Sequence, residues 1–135
     1  MTARSILIVD DEANQRLMLE QALRTLADDW LISTAASGPE ALEVLALQAP
    51  DLIITDYHMP MMNGLELIAQ VRDRHVLSRV ILITAYSSPE LYDAAQRLNV
   101  DHYLTKPVPL TLLRRLASAA LEQVPAPSDR GEAAA

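Results

Sequence analysis

The sequence predicts an α/β protein, a doubly wound parallel sheet with helices on both faces. Two observations carry that expectation. Short apolar runs alternate with helix-like patterns five times along the chain. The runs are near-continuous in Val, Ile and Leu rather than alternating with polar residues, which is how strands buried on both faces read. A third observation concerns function: polar residues stand where most of the runs end.

In chain order, Ile6-Leu7-Ile8-Val9 is the first strand, ending at Asp10-Asp11. Ala13 to Leu26 follows as a helix, with Leu19, Ala22, Leu23 and Leu26 at helical spacing. Trp30 to Ala35 reads as the second strand. Ser37-Gly38-Pro39-Glu40 opens a helix with proline in its first turn, running to about Gln48. Leu52 to Thr55 is the third strand, ending at Asp56, and Leu65 to Asp73 the third helix. Val80 to Ile83 is the fourth strand, ending at Thr84. Ser88-Pro89-Glu90 opens a fourth helix with Leu91, Ala94, Ala95 and Leu98 inward, and Asn99 suits a left-handed cap. His102 to Thr105 is the fifth strand, before Lys106-Pro107. Leu110 to Leu121 is the last helix, with Leu113, Leu116, Ala117 and Ala120 inward.

Composition narrows the function. The chain has 135 residues, half of them apolar and 21% charged, the balance of one globular domain. It has no cysteine, which excludes disulfides, thiolate metal sites and a cysteine nucleophile. The net charge of −7 would repel a phosphate backbone, so direct nucleic-acid binding by this domain is not expected. The early apolar stretch, Ser5 to Val9, is too short for a signal-peptide core or a membrane span, and a cytoplasmic protein is expected. Residues 1–123 are read as one domain. Residues 124–135, rich in Pro, Ala, Ser and Glu, are read as a disordered tail or the start of a linker, so the domain either stands alone or opens a longer protein.

The strand ends carry the chemistry. In a parallel sheet of this kind, ligands bind beyond the carboxyl ends of the strands. Asp10, Asp11, Asp56, Thr84 and Lys106 would gather there. Each alone has an ordinary explanation: Asp as a turn residue or helix cap, Thr at home in a strand, Lys solvated in a loop. Together they are complementary. Clustered carboxylates repel and call for a cation. Mg²⁺ prefers oxygen ligands and often combines one or two carboxylates with a phosphate. Lys106 is a compact charge suited to a phosphoryl oxygen, and Thr84 is a hydrogen-bond donor for another.

This pattern resembles the receiver domains of two-component response regulators, across about Ser5 to Leu121. The resemblance rests on Ile8-Val9-Asp10-Asp11-Glu12, on Asp56-Tyr57-His58-Met59-Pro60-Met61-Met62-Asn63-Gly64, on Ile83-Thr84-Ala85 and on Tyr103-Leu104-Thr105-Lys106-Pro107. It implies the flavodoxin-like five-stranded sheet of order 2-1-3-4-5. It also implies that Asp56 accepts a phosphoryl group from a histidine kinase phosphohistidine or a phosphotransfer protein. Mg²⁺ would be held by Asp11, Asp56, the backbone carbonyl of His58 and, through water, Asp10. Lys106 would pair with the phosphoryl group and Thr84 would move to contact it. Tyr103 occupies the place of the aromatic that turns inward as the Thr moves, and the Lys106–Pro107 peptide is expected to be cis. Such a domain is a signalling phosphoacceptor that promotes its own phosphorylation and slow dephosphorylation, rather than an enzyme acting on other substrates. The face of the fourth helix, fifth strand and fifth helix, with Tyr92, Arg97, Tyr103 and Arg114, is the expected partner or homodimer surface.

Other positions are less telling. His58 and Tyr86 lie two residues beyond Asp56 and Thr84 and are expected to modulate how long the phosphoryl group lasts. His75 and His102 have no evident partners. Met59, Met61 and Met62 read as loop packing. Among rivals, an aspartyl-nucleophile phosphatase would need a second Asp where His58 stands. A dinucleotide-binding domain would need a G-x-G-x-x-G after the first strand, which is missing. A receiver that signals by binding alone is the remaining alternative, and the complete acidic, hydroxyl and lysine set weighs against it. The kinase, the stimulus and the output are not legible.

Overall fold

The computed structural model describes residues 4–26 and 29–122. The expected tail at 124–135 and the domain boundary at 123 lie outside the described residues. Strands β1 (Ser5–Val9), β2 (Leu31–Ala35), β3 (Leu52–Asp56), β4 (Arg79–Thr84) and β5 (His102–Thr105) alternate with helices α1 (Ala13–Arg24), α2 (Gly38–Leu47), α3 (Gly64–Asp73), α4 (Pro89–Arg97) and α5 (Leu110–Glu122). All neighbouring strands are parallel, in the order β2-β1-β3-β4-β5.

Strand periodicity of two divides the core. Leu7, Val9, Ile53, Val80 and Leu82 pack on one face with Ala41 and Leu45 of α2, Leu67, Ile68 and Val71 of α3 and Ala95 of α4. Ile6, Ile8, Leu52, Ile54, Ile81 and Ile83 pack on the other with Leu19 and Leu23 of α1 and Leu113, Ala117, Ala120 and Leu121 of α5. The central strands β1, β3 and β4 therefore carry apolar runs, Ile6–Val9, Leu52–Ile54 and Val80–Ile83, that are buried on both faces. Edge strand β2 alternates toward solvent, with Leu31 exposed.

Helix starts follow their capping residues. The Ser37 side chain accepts from the Glu40 N–H, and that of Ser88 from the Leu91 N–H. Asn63 and Glu66 form a reciprocal capping box at α3. Asn99 has φ 59°, the left-handed conformation expected after α4. The end of the first helix, expected at Leu26, is corrected: α1 ends at Arg24, so Leu26 falls in the following turn and is exposed. The methionines of the β3–α3 loop divide. Met59 is buried and Met62 packs on the core, whereas Met61 is 80% exposed at φ 71°.

Two acids at the opposite end of the sheet do structural work. Asp51 accepts from the Ser5 N–H and Asp101 from the Val80 N–H, each capping the first residues of a strand. Asp101 also pairs with Arg79 at 3.1 Å.

Candidate functional site

Beyond the carboxyl ends of β1 and β3, Asp10, Asp11 and Asp56 each present a carboxylate oxygen within 4.8 Å of the others. Asp10 and Asp56 are buried, and Asp11 is exposed. Lys106, just past β5, reaches across to Asp56, with Nζ 3.1 Å from Oδ2. The other oxygen of Asp56, Oδ1, is buried with no hydrogen-bond partner among the described residues. A buried anionic oxygen left unpaired is costly unless something outside the chain completes it. That oxygen and the two further carboxylates beside it suit a hard, oxygen-seeking dication, so the donor set fits Mg²⁺.

The local electrostatics follow from burial and crowding. Burial raises the pKa of Asp10, the Glu12 N–H that donates to its Oδ1 at 2.9 Å opposes this, and the charge of Asp56 adds to the rise. For Lys106 burial acts to lower the pKa. The hydrogen bond and charge of Asp56, with Asp10 and Glu12 behind it, outweigh burial and leave the pKa raised.

Thr84 ends β4 and is fully buried. Its hydroxyl is engaged with its own loop: Oγ1 accepts from the Tyr86 N–H and donates to the Tyr86 carbonyl, both at 3.2 Å. The Lys106 N–H donates to the Thr84 carbonyl at 2.8 Å, which ties the ends of β4 and β5 together, and the Lys106–Pro107 peptide is cis. His58 is exposed, edge-on to Tyr57 at 4.8 Å and to Tyr86 at 5.7 Å between ring centroids. Tyr103 is half-buried. Its hydroxyl meets Ser87 Oγ at 2.8 Å, and its ring lies edge-on to Tyr92 at 5.4 Å. Thr84, Tyr86 and Ser87 thus link the crevice to the face of α4 and β5 through one short loop.

Two residues contribute in ways the sequence reading did not assign. Gly64 starts α3 against the end of β3, where a Cβ would stand 2.5 Å from the Asp56 carbonyl oxygen and 2.9 Å from Leu82 Cδ1. Only glycine lets α3 approach so closely, and its N–H donates to the Tyr57 carbonyl at 2.9 Å. The second, Ser87, had no signal at all: an exposed serine in a loop is ordinary until its partner is known.

A parallel 2-1-3-4-5 sheet is the flavodoxin-like architecture, and here a carboxylate cluster and a lysine gather at the carboxyl ends of its strands, where such sheets bind ligands. The sequence profile of the response regulator receiver domain matches residues 6–118, and the chain belongs to that family. It is 38% identical over 121 residues to the response regulator protein PilR of Pseudomonas aeruginosa, covering 90% of this chain and 27% of that protein. It is 38% identical over 128 residues to the Regulator of RpoS of Escherichia coli, covering 90% of this chain and 36% of that one. The chain thus spans about a third of these relatives or less. A CheY-like receiver domain protein from Methanospirillum hungatei superposes with a TM-score of 0.83 at 26% identity, covering 90% of this chain and 95% of that one. Chemotaxis protein CheY4 of Vibrio cholerae gives 0.80 at 28%, covering 87% and 98%. Among the described residues, no helix is long and apolar enough to cross a membrane.

Proposed function

We propose that this receiver accepts a phosphoryl group on Asp56 from a phosphohistidine of a sensor histidine kinase or phosphotransfer protein. The observation that carries the reading is the state of Asp56: one oxygen held by Lys106, the other buried and unpaired, beside two further carboxylates. A carboxylate oxygen of Asp56 attacks phosphorus, the P–N bond breaks, and the imidazole leaves with the bonding pair. Such transfer needs positioning and charge stabilisation more than covalent help from the protein. Lys106 supplies a fixed positive charge for the oxygens of the incoming group. Asp10, Asp11, Asp56 and the His58 carbonyl would hold Mg²⁺, with Asp10 acting through water, and the ion would supply charge neutralisation there.

The phosphorylated state then draws on Thr84. To donate to a phosphoryl oxygen, its hydroxyl must leave Tyr86. That releases the loop carrying Ser87, and with it the contact that holds Tyr103. The face of α4, β5 and α5, including Tyr92, Arg97, Tyr103 and Arg114, changes as a result and is the surface offered to a partner or a second copy. We place the protein in the cytoplasm, where kinase phosphohistidines are found.

Hydrolysis reverses the modification: water attacks phosphorus and the bond to Asp56 breaks, releasing phosphate. Tyr86, 77% exposed, stands beside His58 at the mouth of the crevice. Tyr86→Ala is expected to shorten the phosphoryl lifetime several-fold by admitting water. The decay of the phosphorylated mass measures this, and an unchanged rate removes Tyr86 from the account.

The test of the function itself is intact mass after incubation with acetyl phosphate, with and without Mg²⁺, for wild type and Asp56→Asn. A Mg²⁺-dependent gain of one phosphoryl group in the wild type alone is expected. A folded wild type that gains nothing, from acetyl phosphate or a cognate kinase, would leave the binding-only receiver as the account.

A further inference from the structure

The acids at the start of α1, Asp10, Asp11 and Glu12, all precede its first turn. The side chain of its N-cap Glu12 caps nothing, and the first turn holds no acidic residue. Instead a cation, Arg16, stands near the amino end, where the helix dipole disfavours positive charge. Its position is explained by Asp10. Arg16 Nη1 donates to the Asp10 main-chain carbonyl at 2.6 Å. The carboxylate of Asp10 in turn accepts from the Glu12 N–H at 2.9 Å, and the Glu12 carbonyl accepts from the Arg16 N–H at 3.0 Å. The turn from β1 into α1 is thus closed into a ring of hydrogen bonds, and the Asp10 N–H is fixed separately on the Ala35 carbonyl at 3.2 Å.

We propose that Arg16 is a positioning residue for the cation cradle. By clamping the Asp10 carbonyl to the first turns of α1, it fixes the main chain from which the carboxylates of Asp10 and Asp11 project. The inference rests on the reading that this cradle takes Mg²⁺. Groups that orient ligands without touching the ion govern affinity in this way.

Charge and position give opposite signs here. As a charge alone, Arg16 repels a dication, so its removal tightens binding. As a clamp, its removal loosens binding. The experiment is calorimetric titration of Mg²⁺ alone into the unphosphorylated full chain, for wild type, Arg16→Met and Arg16→Gln. Urea unfolding in chelator checks that each variant is folded. Arg16→Met is expected to bind about tenfold more weakly. Arg16→Gln, which keeps an amide donor without the charge, is expected to recover part of the loss. If Arg16→Met does not fold, Arg16→Lys carries the test: it keeps the charge, lacks the planar fork, and is also expected to bind more weakly than wild type. A wild type that binds no Mg²⁺ overturns the cradle and the role of Arg16 together. A wild type that binds, with Arg16→Met binding equally or more tightly, overturns the role of Arg16 alone.

Discussion

Arg72→Met is expected to destabilise the protein by about 3 kcal/mol, a fall of roughly 10–15 °C in Tm. The guanidinium of Arg72, near the end of α3, donates to main-chain carbonyls on two separate segments. Nε reaches Leu98 at 2.9 Å and Nη2 reaches Asn99 at 3.1 Å, both just past α4. Nη1 reaches Val76 at 3.1 Å and Ser78 at 2.9 Å in the α3–β4 connection. The carbonyls at a helix end have no intrahelical partner, and Arg72 serves as a cap delivered from another helix. Burial lowers its pKa, the charge of Asp101 counters this and that of Arg79 adds to it, yet a guanidinium stays charged at neutral pH. Met keeps most of the apolar stem of Arg but is shorter and cannot donate, so the carbonyls would be left to whatever water reaches them. Urea unfolding of wild type, Arg72→Met and Arg72→Lys measures the effect. Lys, with one ammonium in place of a planar fork, is expected to recover only a minority of it. A loss below about 1 kcal/mol for Arg72→Met would mean that solvent replaces these bonds and that the network is incidental.

The contrast between Arg72 and Asp56 explains what the sequence disclosed. Strands β1, β3 and β4 were legible because burial on both faces gives each a continuous apolar run, and Asp10, Asp56 and Thr84 stood out as polar residues at or next to the ends of those runs. Lys106 was legible by its place after β5 and before Pro107. The strand order came from resemblance to a known family, since local patterns do not say which strands are neighbours. Arg72 and Arg16 were silent for a common reason. Their partners are main-chain carbonyls, which every residue carries, so no complementary side chain marks the contact. Gly64 was quoted in the family motif, but its reason, the approach of α3 to the Asp56 carbonyl, is purely spatial. Leu26 was misplaced because helical spacing continues past the point where α1 stops. The resting partners of Thr84 and Tyr103 were equally out of reach, because both depend on how one short loop folds back.

Lys106→Met is expected to slow phosphorylation of Asp56 by a factor on the order of 10²–10³, as loss of a fixed charge at a reacting group does. The same change should tighten Mg²⁺ binding. Lys106 lies 3.1 Å from an oxygen of Asp56 and is the cation that offsets the acidic cluster, so it competes with a dication for the same negative charge. Removing it leaves Asp10, Asp11 and Asp56 less neutralised. The unliganded fold should lose about 1–3 kcal/mol, since Lys106 is 32% exposed but Asp56, at 8%, is left buried without its partner. Adding Asp56→Asn to Lys106→Met should restore most of that loss, because both charges are then gone. Lys106 and Arg16 thus make opposite predictions for one measurement. Both are cations beside the cradle, yet loss of Lys106 should strengthen Mg²⁺ binding and loss of Arg16 should weaken it, because one acts on the carboxylates by charge and the other by holding their backbone in place. Mg²⁺ titration of both variants, with the acetyl phosphate time course for Lys106→Met, separates the two roles. A Lys106→Met protein phosphorylated within about threefold of the wild-type rate would remove Lys106 from the transfer step and leave Asp10, Asp11 and Asp56 to carry it.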